Sequence, residues 1–415
     1  MDKIKEIEDF WENGSSKSIT FIVTKDCQLA CKYCYLIGKN QNERMSLDIA
    51  KKAINFLLDN QKYSKEKSVV FDFIGGEPFL EIELIDRICD YIKLELYSRN
   101  HHWFNSYRFN FTTNGINYHT PRVQDFIKKN TSHLSVGITI DGTKRKHDLN
   151  RIWKMPDMIK GNVHNQKEER GSYDDVIKNI PLWLEQFPEE STKVTISSAD
   201  IPYISESVLH LYNLGIHNIY INCVFENVWH EGDDVLFEQQ LIVLADKIID
   251  SELYIHNTCS FFDESIGKKM SKDENLNWCG AGLMISIDAA GNFYPCTRFA
   301  GYSLRDKKPI IIGNVFDGID DNKLRPFLTL DRISQSPREC VECEVASGCA
   351  WCQGENYDAA ETNTIYQRAT AICKMHKARV RANNYYWNKL YRKLELEGLR
   401  EEFESNKKVS NPVIC

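Results

Sequence analysis

Residues 27–34 read CQLACKYC, three cysteines in a C-x3-C-x2-C spacing with Tyr33 just before the last. A structural zinc site closes with four protein ligands, yet the next cysteine, Cys89, lies far off in an amphipathic stretch. Three thiolates this close suit one corner each of an iron–sulfur cubane and leave a fourth iron open to a small molecule. The motif follows a β-rich run, SITFIVT at 18–24, and five more such runs come after it: VVFDFI at 69–74, RFNFTT at 108–113, LSVGITI at 134–140, KVTIS at 193–197 and IYINCVF at 219–225. Helical patterns lie between them, among them SLDIAKKAINFLL with Ser46 as its cap, EIELIDRICDYIKLEL, and PRVQDFIKK with Pro121 in a first turn. Six strand-then-helix units predict an α/β fold, a partial (β/α)6 barrel with its chemistry at the C-terminal ends of the strands.

The 415 residues, 42% hydrophobic, suffice for a large core and more than one domain. A net charge of −7 gives no general reason to expect nucleic acid or an anionic membrane as partner. The start, MDKIKEIEDFWENGSS, carries charges where a signal peptide needs an apolar run, and no stretch reaches the length of a membrane span. The expectation is a cytoplasmic protein. Fourteen cysteines in that reducing setting, clustered at 27–34 and 279–373, read as metal or redox-cofactor ligands rather than disulfides. Cys89, Cys223, Cys259 and Cys415 stand apart and read as buried small hydrophobes or a tail thiol.

Other strand ends carry polar stations. GGEP at 75–78 follows the second run: Gly75 and Gly76 let backbone come close to a ligand, and Glu77 offers a carboxylate to an ammonium group. TTNG at 112–115 ends the third run and TIDG at 139–142 the fourth, while FEN at 225–227 puts Glu226 after the sixth. Taken singly, each is an ordinary turn. Together with CQLACKYC they resemble the radical S-adenosylmethionine superfamily. The resemblance implies that Cys27, Cys31 and Cys34 hold a [4Fe–4S] cluster whose open iron chelates S-adenosylmethionine, split by one electron into methionine and a 5′-deoxyadenosyl radical. It further implies that Gly75, Gly76 and Glu77 hold the methionyl amine, and that Thr113, Asn114, Asp141 and Glu226 face the cofactor and substrate pocket.

From residue 279 the chain reads C279-x11-G291-x4-C296, then C340-x2-C343-x5-C349-x2-C352, then C373. This order, with ISIDAAGNFYPC as a strand, glycine turn and second strand, resembles the SPASM extension of the same superfamily. The resemblance implies two auxiliary [4Fe–4S] clusters, for three in all. Cys340, Cys343, Cys349 and Cys373 would close one, and Cys279, Cys296 and Cys352 would hold the other with three thiolates, Cys259 being a candidate fourth. CAWC departs from the family by having two residues, not three, between Cys349 and Cys352. A pair of zinc ribbons built on CVEC and CAWC, in a zinc-binding interaction protein, is the competing reading of these thiols.

The resemblance spans residues 18 to about 380 and places a lead-in at 1–17, the barrel at 18–255, the SPASM domain at 256–380 and a C-terminal helix and tail at 381–415. The long polar crossover from Asp141 to Tyr173 reads as a substrate-facing flap or a surface ornament. Such enzymes mostly act on peptides, so the expected partners are a precursor peptide and an electron donor such as flavodoxin or ferredoxin. Some twenty residues precede the motif, too few for an N-terminal leader-binding domain; leader recognition is then expected elsewhere or in a separate protein. Anaerobic sulfatase-maturating enzymes place an Asp directly after the G-x4-C cysteine, where this chain has Thr297. INCVFENVW and CAWCQGENYD instead resemble maturases of cysteine-rich ribosomal peptides. The expected activity is therefore thioether or another crosslink formation, with formylglycine formation as the alternative.

Overall fold

The computed structural model describes residues 16–39, 41–154, 169–271, 274, 275, 277 and 279–406. The lead-in through residue 15, positions 155–168 of the expected flap, and the tail with Cys415 lie outside the described residues. The chain forms two compact units, neither continuous in sequence: Met1–Thr139, Arg151–Phe187 and Asn277–Asp331 make the first, and Ile140–Asn150, Pro188–Leu276 and Arg332–Cys415 the second.

In the first unit β1 (Ser16–Thr24), β2 (Ser68–Gly75), β3 (Tyr107–Thr113) and β4 (Leu134–Ile138) run parallel, side by side in chain order. The crossovers are the helices Leu47–Asp59, Ile82–Ser98 and Pro121–Asn130. Ser46 Oγ caps the first by accepting from Ile49 N at 3.2 Å, which satisfies a helix-end donor. One face of the sheet is aromatic: Phe21 lies opposite Phe73, and Phe73 opposite Phe111, with ring centroids 5.5 and 5.2 Å apart. Burying each ring contributes about 1.5–3 kcal/mol. The other face is polar at mid-strand, where Asp72 accepts from Ser18 Oγ at 2.9 Å and Asn110 Nδ2 at 2.6 Å. A parallel strand covered on both faces would be apolar throughout; the alternation here marks a polar interior face.

In the second unit β5 (Ser191–Ile196), β6 (Asn218–Cys223) and β7 (Thr258–Cys259) form a parallel three-stranded sheet. All six expected strands are thus present, four in one sheet and two in the other. The expected C-terminal helix begins at Cys373, not 381, and runs to Glu397, where Gly398 ends it in the left-handed conformation. The reason is an apolar stripe, Met375, Ala378, Ala382, Tyr386 and Leu390, that starts before the expected boundary. Lys389 pairs with Asp246 and Asp250 at 2.8 and 2.9 Å and Arg381 with Glu238 at 2.6 Å, tying this helix to Asp233–Asp250. Exposed pairs contribute little, about 0–1 kcal/mol each; the buried stripe sets the packing.

The expected hairpin in ISIDAAGNFYPC is β8 (Ile285–Ile287) and β9 (Asn292–Tyr294), turning at Gly291 with φ +81°. β8 pairs parallel with β1, so with β10 (Gly313–Asn314) and β11 (Gly318–Ile319) the first sheet has eight strands ordered β11-β10-β9-β8-β1-β2-β3-β4. This corrects the expectation of one separate domain over 256–380: Asn277–Asp331 belongs with the first unit. The buried β1 has an edge whose N–H and C=O groups need partners, and β8 supplies them.

Candidate active site

The ends of β1, β2 and β3 meet at one edge of the first sheet. Pairing between β1 and β2 slips between Ile22 and Thr24, an irregularity of the kind that re-aims a chain next to a functional site. Beyond it, Gly76 N donates to the Thr24 carbonyl at 3.0 Å and Glu77 N to the Asp26 carbonyl at 2.9 Å, fastening the GGE turn under the cysteine loop. A Cβ on Gly76 would lie 2.1 Å from the Asp26 carbonyl oxygen, and one on Gly75 2.3 Å from that of Thr24. Both glycines are therefore required by the approach of the two loops, a reason the sequence does not reveal.

Glu77 is 1% exposed. Its carboxylate accepts from Phe79 N at 3.1 Å, Thr113 Oγ1 at 2.6 Å and Asn114 N at 2.7 Å. Burial pushes its carboxyl above the usual range, and these three donors with the Arg151 charge pull it back. Asn114 Nδ2 bonds Gln28 Oε1 at 3.0 Å and reaches Cys27 Sγ at 3.9 Å; Leu29 N donates to the same sulfur at 3.4 Å. Cys27, Glu77, Thr113 and Asn114 are thus one connected group.

Arg151 joins them and was not singled out in the sequence. The loop at Leu29 pairs with Trp153, and Ala30 N donates to the Ile152 carbonyl at 2.8 Å. This holds the buried Arg151 with Nη1 3.0 Å from the Tyr33 hydroxyl. Its only sequence signal is a charge inside a long polar crossover. Tyr35, directly after the motif, has the Arg298 guanidinium 4.9 Å from its ring centroid, so the segment after Cys34 touches the turn after Cys296.

The thiol environment fits a cluster. Burial, then the charge of Glu77, pushes the Cys27 thiol up to about 12, so a thiolate there needs a cation beside it, as a cluster iron would be. Cys31 lies within electrostatic reach of Cys27, and the two N–H···S contacts suit a ligating sulfur. Among the described residues no three His, Cys, Asp or Glu side chains close tightly around a single ion; a cubane asks instead for one thiolate per iron.

Cys279 and Cys296 are buried in the first unit, flanking the β8–β9 hairpin. In the second unit Cys349 lies within electrostatic reach of Cys340, Cys343 and Cys373, and burial pushes its thiol up to about 11. CAWC splits: Cys352 caps the helix Gln353–Ala359, its sulfur accepting from Glu355 N at 3.5 Å. Cys259 is buried on β7, its thiol pushed up to about 11 by burial. Asp141 and Glu226 belong to the second unit. Asp141 is fully buried near Lys146 (3.9 Å), which donates to the Thr195 carbonyl at 2.9 Å and lies 3.6 Å from Asp200. Glu226 is half-buried in the turn after β6.

The ends of this parallel sheet gather a three-cysteine loop, a buried Glu and a buried Arg, a set of groups able to hold an iron–sulfur cluster. A family model described as a 4Fe-4S single cluster domain matches residues 13–155. Relatives include the radical SAM cyclopropyl synthase TigE of Paramaledivibacter caminithermalis, 21% identical over 88% of this chain and 73% of its own length. The serine-type anaerobic sulfatase-maturating enzyme of Bacteroides thetaiotaomicron is 23% identical over 78% of each. Among solved structures, native anSMEcpe with bound AdoMet shares the fold at TM-score 0.64 and 17% identity, over 90% of this chain and 99% of that one. Streptococcus suis SuiB bound to precursor peptide SuiA does so at 0.58 and 14%, over 89% and 79%. Over most of its length the chain is thus similar to a radical SAM cyclopropyl synthase and to an anaerobic sulfatase-maturating enzyme, and it shares the fold of anSMEcpe and SuiB.

Proposed function

We propose that this chain is a peptide maturase that installs a thioether or other crosslink in a ribosomally made precursor. Cys27, Cys31 and Cys34 would hold a [4Fe–4S] cluster, which when bound would supply the electron for reductive cleavage of S-adenosylmethionine. Glu77 meets the methionyl ammonium with its remaining acceptor capacity, and Arg151, a guanidinium held beside Glu77 and Tyr33, suits the carboxylate end. Cys340, Cys343, Cys349 and Cys373 hold one auxiliary cluster, and Cys279 and Cys296 supply thiolates to a second, giving three. The observation that carries the reading is the Glu77 network, which joins the cysteine loop, the GGE turn and the TTNG strand end through bonds of 2.6–3.1 Å.

A second reading, formylglycine formation, is favoured by the similarity to the sulfatase-maturating enzymes. Against it stands Thr297 directly after Cys296, where those enzymes place an acid.

The test is anaerobic reconstitution with S-adenosylmethionine and a low-potential reductant, counting 5′-deoxyadenosine beside iron and sulfide. About twelve irons per chain together with nucleoside formation support the proposal. Zinc without sulfide or nucleoside would make the chain a cysteine-rich binding protein. With a cysteine-containing precursor peptide, loss of a titratable thiol with no new carbonyl marks a thioether, and a hydrazide-reactive carbonyl marks formylglycine.

A further inference from the structure

A cation is built against the four-thiol group of the second unit. Arg368 Nη2 donates to Cys349 Sγ at 3.2 Å and to the Ala350 carbonyl at 3.3 Å, while Nη1 donates to Ser336 Oγ at 3.2 Å. The guanidinium also stands 5.2 Å from the centroid of the Trp351 ring, at cation–π distance. Its charge reaches Cys340 as well as Cys349. Arg379 is a second cation within electrostatic reach of Cys349, but it donates to the Ser260 and Phe261 carbonyls. A long flexible side chain pays rotamer entropy to be held, and the serine, the carbonyl and the indole together fix this one with a donor on sulfur.

We propose that Arg368 is a positioning residue for electron transfer: it raises the reduction potential of the cluster carried by Cys340, Cys343, Cys349 and Cys373, and so makes that cluster the electron acceptor of the reaction. The inference rests on the cluster assignment proposed above. Removing two hydrogens from a peptide gives one hydrogen atom to the 5′-deoxyadenosyl radical, and leaves one electron and one proton to be taken from the substrate. The proton passes to solvent and the electron to the oxidised cluster, which gains one negative charge. A fixed cation at hydrogen-bond distance from a ligating sulfur stabilises that added charge more than it stabilises the oxidised state, and hydrogen bonds to sulfur and net charge are the levers that set such potentials. A guanidinium keeps its charge at every working pH, so the bias does not vary with pH.

The experiment is an electron paramagnetic resonance redox titration of the reconstituted full chain, beside iron analysis, for wild type and Arg368→Gln. Gln keeps a planar donor and loses the charge. The expected result is unchanged iron and a more negative midpoint for one auxiliary cluster, with Arg368→Lys between the two. Unchanged iron and an unchanged midpoint overturn the inference while leaving the cluster assignment standing. If Arg368→Gln loses iron, Ser336→Asp is titrated instead: an acid at Nη1 cancels the guanidinium field without removing the donor to Cys349. A lowered midpoint there supports the inference, and an unchanged one overturns it. A wild-type chain without iron overturns the assignment itself and the inference with it.

Discussion

Replacing Glu77 by Gln tests the site through a single atom. The side chain receives three donors, two on Oε1 and one, Asn114 N at 2.7 Å, on Oε2. With the amide oxygen kept at Oε1, the amide nitrogen confronts the Asn114 N–H, so a charge-assisted bond of about 1.5–3 kcal/mol is lost and a buried donor is left unmet. The two remaining bonds weaken by about half, since their acceptor is no longer ionised. Against this, the neutral amide avoids the desolvation that pushes the Glu77 carboxyl up. The net expectation is a loss of about 2–3 kcal/mol, visible as a lower urea midpoint at neutral pH and faster hydrogen exchange at Asn114 N. The pH dependence has a definite sign. A carboxyl whose folded pKa is raised binds its proton more tightly folded than unfolded, so its contribution to stability is full below the unfolded value and is lost as pH rises through the folded one. Wild type should lose stability over that window relative to the Gln variant. Affinity for S-adenosylmethionine should fall about 10–100-fold, the equivalent of one charged hydrogen bond, with iron content unchanged. Unaltered affinity and unaltered Asn114 exchange would refute the reasoning, and loss of iron would make Glu77 a structural support of the cluster.

Other outcomes follow from neighbouring residues. Replacing Cys27, Cys31 and Cys34 together by Ala should abolish 5′-deoxyadenosine while leaving about eight irons per chain, measured by metal analysis; retained cleavage would sink the assignment. Gly76→Ala drives a Cβ to 2.1 Å from a backbone oxygen, so the loops must part, at about 1–3 kcal/mol in denaturant titration and with loss of nucleoside formation. His101 accepts from Trp103 N at 3.2 Å, and burial, aided by the charges of His102 and Arg99, holds its imidazole down to about 4. Its contribution to stability is therefore present above about 6.5, the unfolded value, and is lost as pH falls toward about 4. His101→Asn keeps a capping oxygen and should flatten the fall in urea midpoint over that range.

The sequence by itself determined what short spacing encodes. C-x3-C-x2-C confines three thiols to one loop. Period-two and apolar runs place the strands within a residue or two of their observed limits, and Ser46, Pro121 and Gly291 act through their own backbone and nearest neighbours. Tertiary structure decided whatever depends on partners distant in the chain. Arg151 reaches Tyr33 only because Leu29 pairs with Trp153, and no local pattern separates it from other charges of a polar crossover. Gly75 and Gly76 are required by the carbonyls of Thr24 and Asp26, some fifty residues earlier. The hairpin after Cys279 joins β1 because a buried strand edge must have its hydrogen bonds met, a demand no residue of the hairpin announces. CAWC is split, Cys349 facing the thiol group and Cys352 capping the helix that follows. Spacing along a chain fixes which groups can act together locally, but buried charges and polar edges find their partners only through packing.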